Sequence, residues 1–98
     1  MSDISEIRKP VRDGQYVFTE HCLDKSLPDE DFEIEDALHS LLTGYINETL
    51  DHDPKGTRYC VVGEAEDGRG LEVVCRFTEQ NELLIITAYE VFFEDEEK

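Results

Sequence analysis

Ninety-eight residues carrying nine Lys and Arg against twenty-five Asp and Glu have a formal net charge of -16, and that imbalance opposes any unassisted hold on a phosphate backbone. The length suits one domain, and no interior stretch is polar and rich enough in Gly, Ser and Pro to link two. Residues 1–98 therefore read as a single domain with an acidic, solvated tail at 94–98.

In chain order, Asp3 with Glu6 reads as a capping box for a short first helix with Ile4, Ile7 and Val11 on one side. Pro10 ends it near Lys9, before a turn at Asp13-Gly14. Tyr16-Val17-Phe18 forms a short strand, and Thr19 caps a helical turn or two over residues 20–26, on which His21 and Lys25 face the same way. Pro28 and Asp29-Glu30-Asp31 open the strongest helix. Its apolar stripe is Ile34, Ala37, Leu38, Leu41 and Leu42, its early carboxylates suit the helix dipole, and Gly44 closes it in the left-handed conformation. Tyr45-Ile46 starts a strand that fades into a loop at 51–56. Residues 59–63, 71–77 and 83–92 are strands joined by turns at 66–70 and 79–81, and such short connections imply antiparallel pairing. The fold class is α+β, with N-terminal helices packed on a three- or four-stranded antiparallel sheet.

Alternation separates the faces of the strands. Leu71, Val73, Cys75 and Phe77 oppose Glu72, Val74, Arg76 and Thr78, while Leu83, Ile85, Thr87 and Tyr89 oppose Leu84, Ile86, Ala88 and Glu90. Both faces of the last strand are largely apolar, which makes it central or doubly covered. Arg76 is the polar oddity and needs an acceptor or a wet groove.

Cys22, Cys60 and Cys75 cannot all pair within the chain and read as small core residues in a reducing compartment. No metal site, Walker loop or dinucleotide fingerprint is legible, so no metal or cofactor is expected. The N-terminus lacks the apolar core of a signal peptide and no run spans a bilayer; the expected location is the cytoplasm, away from membranes. The polar set left for chemistry is His21, Lys25, Arg58, Arg76, Thr87 and Tyr89, with His52 in its acidic loop. Metal-free cleavage of a phosphodiester needs such groups: a base for the 2′-hydroxyl, an acid for the leaving oxygen and a guanidinium for the pentacoordinate phosphate. Each also has a structural role open to it: His21 packs a helix, Lys25 is solvated, the arginines pair with carboxylates and Tyr89 joins the core.

Five stretches carry a resemblance: Ile7-Arg8 through Gly14; Phe18-Thr19-Glu20-His21; Ile34-Glu35-Asp36-Ala37-Leu38 with Gly44; residues 53–63, with Asp53-Pro54-Lys55-Gly56-Thr57-Arg58; and Leu84-Ile85-Ile86-Thr87-Ala88-Tyr89-Glu90-Val91. Together they resemble the bacterial and archaeal domain-of-unknown-function family numbered 4258, whose members are similar to the compact RelE-like and BrnT-like toxins of toxin–antitoxin systems. The resemblance implies helices against an antiparallel sheet, cleavage of messenger RNA, often on the ribosome, and neutralisation by an antitoxin.

Two functions follow as expectations. The first is a metal-independent, toxin-type ribonuclease acting on RNA or ribosome-bound messenger, with His21 as acid or base, Arg58 and Arg76 as phosphate clamps, Tyr89 as a positioning hydroxyl and Lys25 on the backbone. The second is a non-catalytic module that binds a basic protein through its acidic surface. Convergence of His21, Arg58 and Arg76 on one groove favours the first; scattered cations beside carboxylates favour the second.

Overall fold

The computed structural model describes residues 3–52 and 54–92; the acidic tail at 94–98 lies outside them. The fold is α+β, with a five-stranded mixed sheet in the order β1-β5-β4-β3-β2. The strands are β1 (Tyr16–Phe18), β2 (Tyr45–Leu50), β3 (Arg58–Glu64), β4 (Gly70–Phe77) and β5 (Leu83–Val91). β2 to β5 form an antiparallel meander, as the short turns imply. The fifth strand is β1, which joins the far edge parallel to β5.

Helix α1 (Ile4–Asp13) runs through Pro10 rather than ending before it. The proline forfeits one backbone bond, to the carbonyl of Glu6, a residue exposed to solvent, while its ring is buried with Ile7 and Val11. Asp3 caps this helix by accepting from the Ser5 amide and hydroxyl, and Gly14 closes it at φ 76. The 28–31 segment does not open the long helix. It forms the short helix α2 (Leu27–Asp29) and breaks at Asp31, whose φ is 62. The long helix α3 (Ile34–Thr43) starts later, with a Glu33/Asp36 capping box. Asp36 is doubly used: one oxygen accepts from the Glu33 amide at 2.8 Å and the other from the Glu66 amide at 3.0 Å.

α3 also sits at a different rotation from the one the apolar stripe implies. Its buried line is Asp36, Ala37, Ser40 and Leu41, while Ile34 and Leu42 are exposed. The cause is close approach. The Ser40 hydroxyl donates to the Leu71 carbonyl at 2.8 Å, and a Cβ placed on Gly63 of β3 would lie 2.2 Å from the Ser40 carbonyl oxygen. A Cβ on Gly44 would meet the Val62 carbonyl at the same 2.2 Å. Small residues therefore set the spacing between helix and sheet, and Gly44 is extended, at φ -97, not left-handed.

One face of the sheet carries the core: Val61, Leu71, Val73, Cys75, Leu83 and Ile85 are fully buried with Ile7, Ala37 and Leu41 from the helices. A β-bulge between Val74 and Cys75 inserts Ile86 into β5, so that Ala88 pairs with Val73 on the core face and Tyr89 pairs with Glu72 on the opposite one. The sequence alternation had grouped Tyr89 with Leu83 and Ile85; the extra residue reverses its side.

All three cysteines are buried free thiols. Burial pushes Cys22 and Cys60 up to about 11 and Cys75 up to about 12, from an ordinary 9.0. The neutral thiol is the form the fold favours, so its contribution is fully present below pH 9 and is lost as pH rises through 11 to 12, because the unfolded chain ionises first. Denaturant titrations at pH 6.5, 7.5 and 10.5 should give equal midpoints at the first two and a lower one at the third. Alanine or serine at Cys75 should flatten that decline.

Candidate functional site

The residues chosen from sequence fall into two groups joined by Tyr89. The first lies at the open edge of β5 beyond the end of β1. Thr19 makes the junction: its amide donates to the Ile85 carbonyl, its hydroxyl donates to that of Ile86, and the same oxygen accepts from the Cys22 amide. It thereby caps the helical turn at Glu20-His21 that runs into a π-helical segment, Cys22–Ser26, in which Cys22 and Ser26 are both buried. Ser26 and Thr87 share a 2.6 Å hydroxyl–hydroxyl bond. His21 and Lys25 remain exposed and line a hollow of about 200 Å³ with Thr87 and Tyr89, and with two carboxylate residues, Asp29 and Glu30. One Glu30 oxygen is committed, accepting from the Glu90 amide at 3.0 Å.

The second group lies on the sheet face opposite the core. Register places Tyr45, Val62, Glu72 and Tyr89 side by side across four strands. Glu48, Cys60, Val74 and Thr87 form the next row. Beyond it come Leu50 with Arg58, and Arg76 with Leu84 and Val17. Arg58, Arg76 and Tyr89 thus share a face, but Arg76 stands four residues along β4 from Tyr89's partner Glu72, about 13 Å at the rise of a strand. Its guanidinium turns to the Lys55 carbonyl at 3.3 Å and to its neighbour Phe77's at 3.5 Å, and it lines a separate hollow with Lys55, Thr78 and Glu79. His21 and Arg76 do not meet in one described hollow.

Sequence reading passed over Glu72, Glu48 and Cys60. Glu72 is 9% exposed. Burial, then the charge of Glu72 and its hydrogen-bonding proximity, push the Tyr89 phenol up to about 12. Burial first, then Glu72 and Glu48, act the same way on Cys60, with Arg58 opposing. The face around Tyr89 therefore carries a negative potential. A carboxylate alternating with valines in a strand of buried residues was the available signal for Glu72.

Several of the other described basic groups have structural partners. Lys9 pairs with Asp13 at 2.9 Å and Arg69 with Asp67 at 2.9 Å. Arg69 also donates to the Glu30 and Asp31 carbonyls and lies 4.1 Å from the Phe32 ring centroid, tying the α2–α3 loop to the β3–β4 turn. His39 bonds the Glu64 carbonyl through Nδ1 at 2.8 Å, and His52 is exposed. Among the described residues, no group of three or more His, Cys, Asp or Glu is placed to hold a metal ion, and no helix is long and apolar enough to cross a membrane.

Neither the curated proteins nor the solved structures contain a match to this chain. A family model does match, over residues 18–90, which takes in both groups of the site, and the chain belongs to the family described as Domain of unknown function (DUF4258).

Proposed function

We propose that this domain is a non-catalytic interaction module whose acidic surface binds a basic protein. The observation that carries this reading is the company kept by its candidate cations. His21 and Lys25 share their hollow with Asp29 and Glu30, the Tyr89 side of the sheet face holds Glu72 and Glu48, and Arg76 is turned away toward a backbone carbonyl. A phosphate entering either place meets carboxylates, and the net charge of -16 repels it from a distance. A cationic protein meets the reverse of both effects.

A second reading has its own observation, the convergence of His21, Lys25 and Tyr89 on one hollow. It is the metal-independent ribonuclease of RelE-like or BrnT-like toxin type. His21 serves as acid or base for the 2′-hydroxyl and the leaving oxygen, Lys25 contacts the backbone, and Arg58 and Arg76 must swing to the phosphate.

One pair of measurements separates them. Purified protein is incubated with free RNA and with ribosome-bound message in excess EDTA across a salt series, and its association with poly-L-lysine is titrated calorimetrically over the same series. The interaction module predicts intact RNA and a complex that weakens as salt rises. Cleavage to 2′,3′-cyclic phosphate ends, falling by on the order of 10²- to 10⁴-fold in His21→Ala, would replace it with the second reading. Absence of poly-lysine association at low salt would remove it outright.

A further inference from the structure

Between the π-helical segment and the start of α3 lies a further hollow, of about 420 Å³, outside both groups of candidate residues. Leu27 and Phe32 line it as buried residues, and Leu23 and Ile34 line it as open ones, each 39% exposed. Apolar surface is therefore accessible here rather than covered within the chain, and withdrawing it from water is favourable. Two features of the fold keep it open. The break at Asp31 separates α2 from α3, and the rotation of α3 against Gly63 leaves Ile34 off the core line that its place in the apolar stripe implies.

Charge selects the occupant. The polar lining is Asp31 and Glu33, both exposed, with no cation among the lining residues. Residues 29–36 hold six carboxylates and no Lys or Arg. Arg69, the cation that reaches this segment, is engaged with the Asp67 carboxylate, the Glu30 and Asp31 carbonyls and the Phe32 ring, and Lys25 lines the hollow beside Tyr89 instead. The positive end of α3 does not cancel this field, because its capping box already sets carboxylates on the Glu33 and Asp36 amides. A second copy of the chain brings its own -16, and its one run with apolar residues between cations, Lys9-Pro10-Val11-Arg12, has Pro10 and Val11 buried. We infer that this hollow is a docking site for a basic segment of a partner protein: one bulky apolar side chain enters between Leu23 and Ile34, and a Lys or Arg beside it pairs with Asp31 or Glu33. This rests on the interaction-module reading and assigns it a place and a partner chemistry.

The test uses the full chain, labelled with nitrogen-15, at about 150 mM salt. The probe is a short capped peptide with one leucine between two pairs of lysines. It is compared with the same peptide carrying serine for leucine, and with one carrying glutamates for lysines. The expected result is one-to-one binding with amide shifts concentrated on residues 23–34. The serine peptide should bind about tenfold more weakly, for want of the side chain that leaves water, and the glutamate peptide should not bind. Asp31→Asn removes a charge but keeps a residue that tolerates positive φ, and Ile34→Ser removes apolar surface at an exposed position. Each should weaken binding several-fold with little change in Tm, while Leu50→Ser, at an exposed apolar position on β2, should leave it unchanged. Equal affinity of the serine peptide, shifts spread over carboxylates on other elements such as Glu48 and Glu79, or binding indifferent to both Asp31→Asn and Ile34→Ser would each overturn the inference. Poly-lysine association persisting in those cases would leave the acidic-module reading standing without this site.

Discussion

Gly63→Ala should lower the stability of the domain by about 3 kcal/mol or more, although alanine is ordinarily the better strand residue by about 0.5–1 kcal/mol. The new methyl would lie 2.2 Å from the Ser40 carbonyl oxygen and 2.9 Å from its carbonyl carbon. Those are backbone atoms of a helix, so no side-chain rotation relieves the overlap. α3 must lift from β3, and lifting it breaks the bond from the Ser40 hydroxyl to the Leu71 carbonyl, leaving both ends buried and unpaired. For a domain of this size the corresponding fall in Tm is roughly 12–24 °C, readable by thermal melts followed by circular dichroism. The contrast is Gly68→Ala. Gly68 has open space around it but a φ of 93, so its cost is backbone strain of order 1–3 kcal/mol confined to one turn. A Gly63→Ala protein that melts with wild type would mean that the helix does not approach the sheet this closely.

Leu41→Asp should leave no cooperative melting transition. Leu41 is fully buried in the core cluster. Its loss alone is worth about 2–5 kcal/mol, and a carboxylate in its place adds the several kcal/mol of an unpaired buried charge. The sum reaches the whole stability of a typical domain, about 5–15 kcal/mol. Leu38→Asp is the informative companion. Leu38 is only partly buried at the border of the core, so its aspartate can turn toward water, and that variant should keep a transition at a lower midpoint. Equal effects at the two positions would restore the helix rotation that the apolar stripe suggested.

The two substitutions mark where the sequence was informative and where it was not. The existence of α3 and of the last three strands was legible because each is a local pattern: a helical repeat, or alternation between turn residues. The rotation of α3 was not, since Ser40 looks like a surface residue until Gly63, twenty-three positions later, is seen to meet it. The same reason hid β1's place in the sheet. Three residues hold no record of a parallel partner whose matching positions begin at Leu83. In the site, Lys25 and His21 were correctly paired by helical spacing, while the distance from His21 to Arg76 depended on side-chain directions and loop carbonyls that no motif encodes. Glu72 was visible in the alternation, on the side opposite Leu71 and Val73, but nothing local marked it as buried; its burial comes from neighbours on other strands.

The inserted residue in β5 makes that strand behave like a message with a reading frame. Up to Ile85, odd-numbered positions are core; past Ile86, even-numbered ones are. The segment Leu84–Tyr89 is apolar enough to be sensible in either frame, and straightening the bulge so that Ile86 took a place in the ladder would send Tyr89 inward and Ala88 out without creating a stretch that looks misfolded on paper. The frame change also carries a contact from far outside the strand: the hydroxyl of Thr19, sixty-seven residues earlier, donates to the Ile86 carbonyl at 2.9 Å. A threonine that reads as an ordinary helix cap is thus also bonded at the one residue where β5 changes which side of the sheet its tyrosine addresses.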